Sequence, residues 1–217
     1  MPVYTDQMGR EVDIPITPGR IISLVPSQTE LLFNLGLDEE IAGITKFCIH
    51  PAEKIKQKIK VGGTKDLSIN LIKKLAPDLI IGNKEENERF QIEELMQHFP
   101  VWMSDISGLG GAIDMINHVG KIVGRTAAAS ELVSIINSGF GQLNIQPKNL
   151  RVAYLIWRKP YIAAGQGTFI DDMLIRCSFT NAFDITRYPE ISSEQLIDAN
   201  PDVIFLSSEP YPLKKNT

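Results

Sequence analysis

The chain is poor in cysteine, in net charge of either sign and in long apolar runs, and each scarcity removes a class of protein. Its 217 residues include two cysteines, Cys48 and Cys177. A disulfide-stapled scaffold is therefore excluded, and thiols so far apart in sequence read as separate groups. Basic residues number 22 against 26 acidic ones, a formal charge of −4, which leaves no electrostatic footprint for nucleic acid and no polybasic membrane patch. No window approaches the roughly 18 consecutive apolar residues of a membrane span. The opening Met1-Pro2-Val3-Tyr4-Thr5-Asp6 lacks the charged and apolar regions of a secretory signal, so the chain as given reads as soluble and unexported. With 43% hydrophobic and 22% charged residues, 16 Gly and 13 Pro, collagen-like and disordered classes are excluded too. The length suits one large domain or two small ones.

Local patterns give the elements. Val3 to Pro15 holds two strand-like runs around a Gly-containing turn, which predicts a small hairpin decorating the first core strand. That strand is Arg20-Ile21-Ile22-Ser23-Leu24-Val25, short and β-branched, suited to a buried parallel position. Ser27 and Glu30 then have the spacing of a capping box, and Leu31, Leu32 and Leu35 supply the apolar face of a helix that ends at Gly36.

An internal echo organises the rest. Ser68-Ile69-Asn70-Leu71-Ile72-Lys73-Lys74-Leu75-Ala76-Pro77-Asp78-Leu79-Ile80-Ile81 recurs as Ser192-Ser193-Glu194-Gln195-Leu196-Ile197-Asp198-Ala199-Asn200-Pro201-Asp202-Val203-Ile204-Phe205. In each copy a Ser N-cap opens a two-turn helix, Pro-Asp ends it and a β-branched run starts a strand. Upstream, the Arg20 strand is matched by Arg151-Val152-Ala153-Tyr154-Leu155-Ile156. The copies predict an α/β protein of two similar lobes, residues 1–110 and 146–217. From about Gly111 to Leu143 apolar residues recur at helical spacing without a Pro. As one helix, about 33 residues would span roughly 50 Å, and residues 111–145 are expected as a long backbone helix joining the lobes. The alternative is two helices broken near Gly124-Arg125-Thr126, since Gly weakens helix interiors. Gln146-Pro147-Lys148-Asn149 is expected to end the segment.

Facing α/β lobes make a cleft lined by the loops after the strand carboxyl ends. Those loops carry Phe47, Trp157, Tyr161 and Phe169, able to cover a large flat ligand, and Ser27, Gln28, Thr64 and Asn83, able to orient it. Arg187 lies on the last of them. Catalytic signatures are missing: no Gly-x-Ser-x-Gly, Walker loop, His-Glu-x-x-His or Cys-x-x-Cys is present. Gly165-Gln166-Gly167 is too short for a dinucleotide fingerprint and reads as a turn. Cys48 and His50 share a loop and are weak candidates for a soft metal or a nucleophile pair, with no orienting acid in view.

Taken in order, Asp6 to Val12, Arg20 to Glu30, the Val61-Gly62-Gly63 loop and both Pro-Asp repeats resemble the helical-backbone periplasmic binding proteins of ABC importers for vitamin B12, ferric siderophores and haem. Trp157-Arg158-Lys159-Pro160 and Thr168 to Leu174 look most like the cobalamin-binding branch. The resemblance implies a monomeric, periplasmic or membrane-associated receptor that binds cobalamin or an iron chelate as cargo, without a resident cofactor, and docks on a permease. It further implies that a glutamate in the first turn of each repeat's helix pairs with permease arginines. Glu194 fills that role in the second lobe, whereas the first has Asn70. Family members continue past the strand at 203–206, so this chain, ending at Lys214-Lys215-Asn216-Thr217, reads as having an unfinished second lobe. Two other readings stand beside this one: a small enzyme using Cys48 with His50, and a cytosolic carrier derived from the receptor.

Overall fold

A computed structural model of the chain describes residues 1–146 and 149–208. Pro147, Lys148 and the final Lys214-Lys215-Asn216-Thr217 lie outside the described residues. The protein is α/β and divides into two compact units, one formed by Met1–Asp105 with Ile113–Gly139, the other by Ile106–Ala112 with the described residues from Phe140 on.

The first unit opens with an antiparallel hairpin of β1 (Val3–Thr5) and β2 (Glu11–Asp13), turned at Gly9 with φ +75°. There follow β3 (Ile21–Ser23), α1 (Pro26–Asn34), β4 (Ile41–Ile44), a short α2 (Ala52–Ile55), α3 (Ile69–Leu75), β5 (Leu79–Asn83), α4 (Arg89–Met96) and β6 (Val101–Ser104). The strands form a fully parallel sheet ordered β4-β3-β5-β6. Every residue of β3 and β6 is buried, as expected of parallel strands covered on both faces. Ile22, Leu24, Ile80 and Met103 pack there against Ile72, Ile92 and Leu95 from the helices.

The hairpin is as expected, but it decorates the last strand of the sheet and not the first. The Gln7 amide donates to Met103 O (3.0 Å) and the Trp102 indole N–H to Thr5 O (3.3 Å). Asp6 explains the choice. Its buried carboxylate accepts the amides of Met8 and Arg10 (2.9 Å each) and of Met103 (3.3 Å), and pairs with the Arg10 guanidinium. A carboxylate taken out of water needs such partners, and only the end of β6 supplies the third amide.

The capping box expected at Ser27 and Glu30 does not form. Helix α1 starts two residues earlier, with Val25 at the N-cap and Pro26 at the first helical position, where a missing N–H costs nothing and a fixed φ helps. Ser27 is left exposed inside the first turn.

The repeated Pro-Asp segments behave as matched units. Helix α3 follows Ser68, and in the second unit α8 (Ser193–Asp198) follows Ser192. Ser192 makes a full capping box with Gln195; Ser68 makes no side-chain cap. Before each Pro the chain turns through a left-handed residue, Ala76 (φ 45°) and Asn200 (φ 44°). The Asp that follows grips the Arg-led strand: Asp78 accepts the amides of Gly19 (2.9 Å) and Arg20 (3.0 Å), and Asp202 accepts that of Arg151 (2.7 Å).

The segment expected as one backbone helix is two, α5 (Leu109–Ile122) and α6 (Thr126–Gly141). Gly124 adopts φ +68°, and the Arg125 and Gly124 amides donate back to Gly120 O (2.7 Å) and Lys121 O (3.3 Å). That paired pattern closes a helix around a left-handed glycine. Gly120 then lets α6 approach, because a Cβ there would lie 2.3 Å from Ala129 Cβ. Among the described residues no helix is long and apolar enough to cross a membrane.

The second unit contains β7 (Arg151–Trp157), β8 (Tyr161–Ala163), α7 (Phe169–Arg176), β9 (Thr180–Asn181), β10 (Glu190–Ile191), α8 and β11 (Val203–Leu206). Its sheet is mixed and ordered β10-β8-β7-β11, with β9 beside the start of β7. Strand β11 runs parallel to β7, and β8 antiparallel to it. Ala153, Leu155, Ala163, Phe183 and Ile191 form the core. The first turn of α5 belongs here: Asp172 of α7 accepts the Leu109 amide (2.8 Å) and pairs with Arg176 (2.8 Å).

Candidate functional site

In the first unit the residues expected at the strand ends divide into exposed side chains and buried braces. Phe47 is 53% exposed, with Lys46 Nζ 5.3 Å from its ring centre. Gly63 makes room for it, since a Cβ there would stand 3.1 Å from the ring. Ser27 is exposed. Gln28, by contrast, is 2% exposed and donates to Gly82 O (3.1 Å) and Ser104 Oγ (2.6 Å). Asn83 donates to the same Ser104 hydroxyl (2.9 Å), and its side-chain oxygen accepts the amides of Glu85 (2.9 Å) and Glu86 (3.2 Å). Gln28 and Asn83 thus meet at Ser104 and fix the carboxyl ends of β5 and β6. Thr64 is also buried.

The residue that unites these loops is Asn87, which sequence reasoning missed. Its amide donates to Thr64 O (3.0 Å) and Leu24 O (3.3 Å), and its oxygen accepts the Asn83 amide (2.9 Å). Three loops distant in sequence converge on one buried side chain, and no local pattern signals that convergence.

Cys48 is 3% exposed, and its Sγ lies 3.2 Å from Thr29 Oγ1 and 3.4 Å from Thr45 Oγ1, while His50 is exposed. The thiol is an interior packing group tied to two hydroxyls. Among the described residues no group of three or more His, Cys, Asp or Glu side chains could hold a metal.

In the second unit Trp157 ends β7 at 36% exposure and Phe169 opens α7 at 38%. Tyr161 is half-buried against the core. The Phe169 turn is held from below. Thr168 Oγ1 accepts the Asp171 amide (3.2 Å) and donates to Gly165 O (2.9 Å), while Asn181 donates to Asp171 (2.9 Å) and to Ala164 O (3.0 Å). Arg187 belongs to a loop pairing with that turn: Gly165 N donates to Arg187 O (2.7 Å) and Arg187 N to Gln166 O (2.9 Å). No other residue fits at 165, where a Cβ would lie 2.0 Å from Ile185 O. The Arg187 guanidinium lies 5.9 Å from the Tyr188 ring centre.

The carboxylates of Asp172 and Glu194 both have lowered pKa values. For Asp172, burial alone would raise the pKa, but the Arg176 hydrogen bond, the Leu109 amide and the Arg176 charge outweigh it and the net shift is downward. Glu194, fully exposed in the first turn of α8, is lowered by hydrogen bonding to the Ser192 side chain and then to its own backbone amide. Asn70 occupies the matching exposed position of α3.

Phe47 in the first unit, and Trp157, Phe169 and Arg187 in the second, are thus exposed, while the Asn83 turn and the Phe169 turn are held by hydrogen bonds from buried side chains. The chain belongs to the periplasmic binding protein family, whose model matches residues 21–217. It is 28% identical over 196 residues to the vitamin B12-binding protein of Vibrio campbellii, covering 87% of this chain and 70% of the relative. It is 27% identical over 213 residues to a Bacillus subtilis protein, YvrC, described as an uncharacterized ABC transporter substrate-binding lipoprotein, covering 92% and 67%. Among solved structures, the periplasmic vitamin B12 binding protein BtuF of Vibrio cholerae superposes with a TM-score of 0.74 at 26% identity, over 89% of this chain and 78% of that one.

Proposed function

We propose that this protein is the substrate-binding component of an ABC-type importer, working in the periplasm or anchored at the membrane, and that its cargo is a corrinoid such as cobalamin. The observation that carries the reading is the likeness to the vitamin B12-binding protein of Vibrio campbellii over most of the chain. The exposed side chains support it. Phe47, Trp157 and Phe169 offer apolar area to a flat macrocycle, and Ser27, Tyr161 and Arg187 offer polar groups to its amide-bearing edge. Gln28, Asn83 and Thr64 act below the surface, holding the loops in shape. That division lowers the cost of binding, since loops already fixed lose little freedom when the ligand arrives. Glu194 docks the second unit on the permease, and Asn70 leaves the first without the corresponding charge.

The test is calorimetric titration of the chain with cyanocobalamin, haemin and a ferric catecholate siderophore, repeated on Trp157→Ala. Saturable binding of cyanocobalamin, weakened about tenfold or more by the substitution, is the expected result; tenfold corresponds to about 1.4 kcal/mol. Saturation by haemin or the siderophore alone overturns the corrinoid assignment. Saturation by none of the three overturns the binding-protein reading.

A further inference from the structure

Strand β4 runs into a tight turn, Thr45-Lys46-Phe47-Cys48, closed by the Cys48 amide donating to Thr45 O (3.2 Å). The end residues are buried and the corner residues exposed. Beneath the turn the Cys48 thiol donates to the Thr29 hydroxyl (3.2 Å) and lies 3.4 Å from that of Thr45, so the buried sulfur ties the turn to α1. From the side, the Lys46 amide donates to Gly62 O (2.8 Å). Lys46 and Phe47 are therefore presented together on a backbone that is already fixed.

The Val61-Gly62-Gly63 loop gives this pair its seat. Gly62 has φ +108°, and a Cβ there would lie 2.3 Å from Asp66 O. At Gly63 a Cβ would stand 3.1 Å from the Phe47 ring and 3.3 Å from Lys46 Cε, so both side chains lie over bare backbone. Lys46 Nζ is 5.3 Å from the ring centre, within the range at which an aromatic face attracts a cation.

Neighbouring cations are taken up internally, and this one is not. Lys65 reaches Glu85 O (2.7 Å) and Glu88 (3.5 Å), and Lys84 reaches Asp105 (2.6 Å). Lys46 makes no ion pair or side-chain hydrogen bond among the described residues. An ammonium group with unused N–H donors, set against an exposed ring, suits a ligand that carries an anionic oxygen beside a flat surface.

Resting on the reading that the cargo is a corrinoid, we infer that Lys46 is a specificity-determining residue: its ammonium group receives the phosphodiester that joins the corrin ring to its nucleotide tail, while Phe47 covers the adjacent flat surface. Cobinamide, the corrinoid without that tail, lacks the phosphodiester. Lys46 thus favours the complete cofactor over its shortened form.

The experiment is calorimetric titration of the parent chain, Lys46→Gln and Lys46→Arg with cyanocobalamin and with dicyanocobinamide at low salt. Lys46→Gln should weaken cyanocobalamin binding about fivefold, the upper end for an exposed ion pair, and leave dicyanocobinamide binding unchanged. Lys46→Arg keeps the charge and should restore most of the loss. Added salt should shrink the parent's advantage over Lys46→Gln, because exposed charges are screened. Equal weakening of both corrinoids shows that the side chain acts only through the shape of the turn, and no change in either shows that it meets no anion. Each of these overturns the inference and leaves the corrinoid assignment standing. A parent chain that binds neither corrinoid overturns the assignment, and the inference with it.

Discussion

Replacing Asp6 by alanine tests whether one buried carboxylate holds the opening hairpin on β6. The side chain has no solvent exposure and accepts three amides besides the Arg10 guanidinium. With the carboxylate gone, the Met103 amide stays buried without a partner, at a cost of about 1–3 kcal/mol. The Met8 and Arg10 amides lie at the turn and can reach water, so each loses only about 0.5–1 kcal/mol. The Arg10 side chain keeps 35% exposure and rehydrates, so its ion pair contributes no more than about 1 kcal/mol. The sum lies between about 2 and 6 kcal/mol, a large part of the stability of an ordinary domain. Trp102 reports the loss directly, because it is fully buried and its indole donates to Thr5 O. Urea unfolding should be followed by fluorescence in a Trp157→Phe background, where Trp102 is the remaining tryptophan of the two. Asp6→Ala should lower the midpoint by the equivalent of about 2 to 6 kcal/mol and speed exchange of the Met103 amide. Asp6→Asn, which keeps one acceptor oxygen but turns an N–H toward other donors, should cost about 2 kcal/mol. A midpoint for Asp6→Ala within about 0.5 kcal/mol of the parent, the range of ordinary surface changes, would refute the reasoning.

Other substitutions probe different links. Asp172 has a folded-state pKa below its unfolded value, so its stabilisation is present above about pH 4 and is lost as pH falls through the lower folded value. Asp172→Asn should be less stable at neutral pH, and its gap from the parent should narrow as pH falls below about 4, read from urea midpoints; a gap that stays constant with pH contradicts this. Gly120→Ala should cost about 1–3 kcal/mol because the new Cβ collides with Ala129, while Gly139→Ala, with open space around it, should be neutral or gain up to about 0.5 kcal/mol. Thermal melts of the two side by side decide that. Ser192→Ala removes a formed capping box and should cost about 1 kcal/mol. Ser68→Ala, whose hydroxyl caps nothing, should stay within about 0.5 kcal/mol, and equal losses in denaturant titrations would count against the distinction.

Much of this architecture is legible in the amino acids, and the failures share a cause. Strand β3, helix α1 and both Pro-Asp segments follow from periodicity and turn chemistry, which act over a few residues. The capping box at Ser27 fails because Pro26 sets the helix start more strongly than a serine one position later. The single rod fails because Gly124 can turn left-handed and Gly120 rewards the fold-back with close contact to Ala129. At the candidate site, residue types on loops are readable, but burial is not. Nothing near Cys48 or Gln28 in sequence says that Thr29 or Ser104 will enclose them. Asn87 is invisible for the same reason, since the groups it joins come from residues 4 to 63 positions away.

The paired aspartates have an evolutionary corollary. Asp78 secures the head of β3 across 58 positions of chain, and Asp202 secures β7 across 51. The alignment of neighbouring strands is thereby anchored at the amino-terminal edge of each sheet, away from the loops at the strand carboxyl ends. Those loops can lengthen, shorten or be rewritten for a new cargo while the strands beneath stay in step, so one scaffold can be re-tooled many times without being refounded.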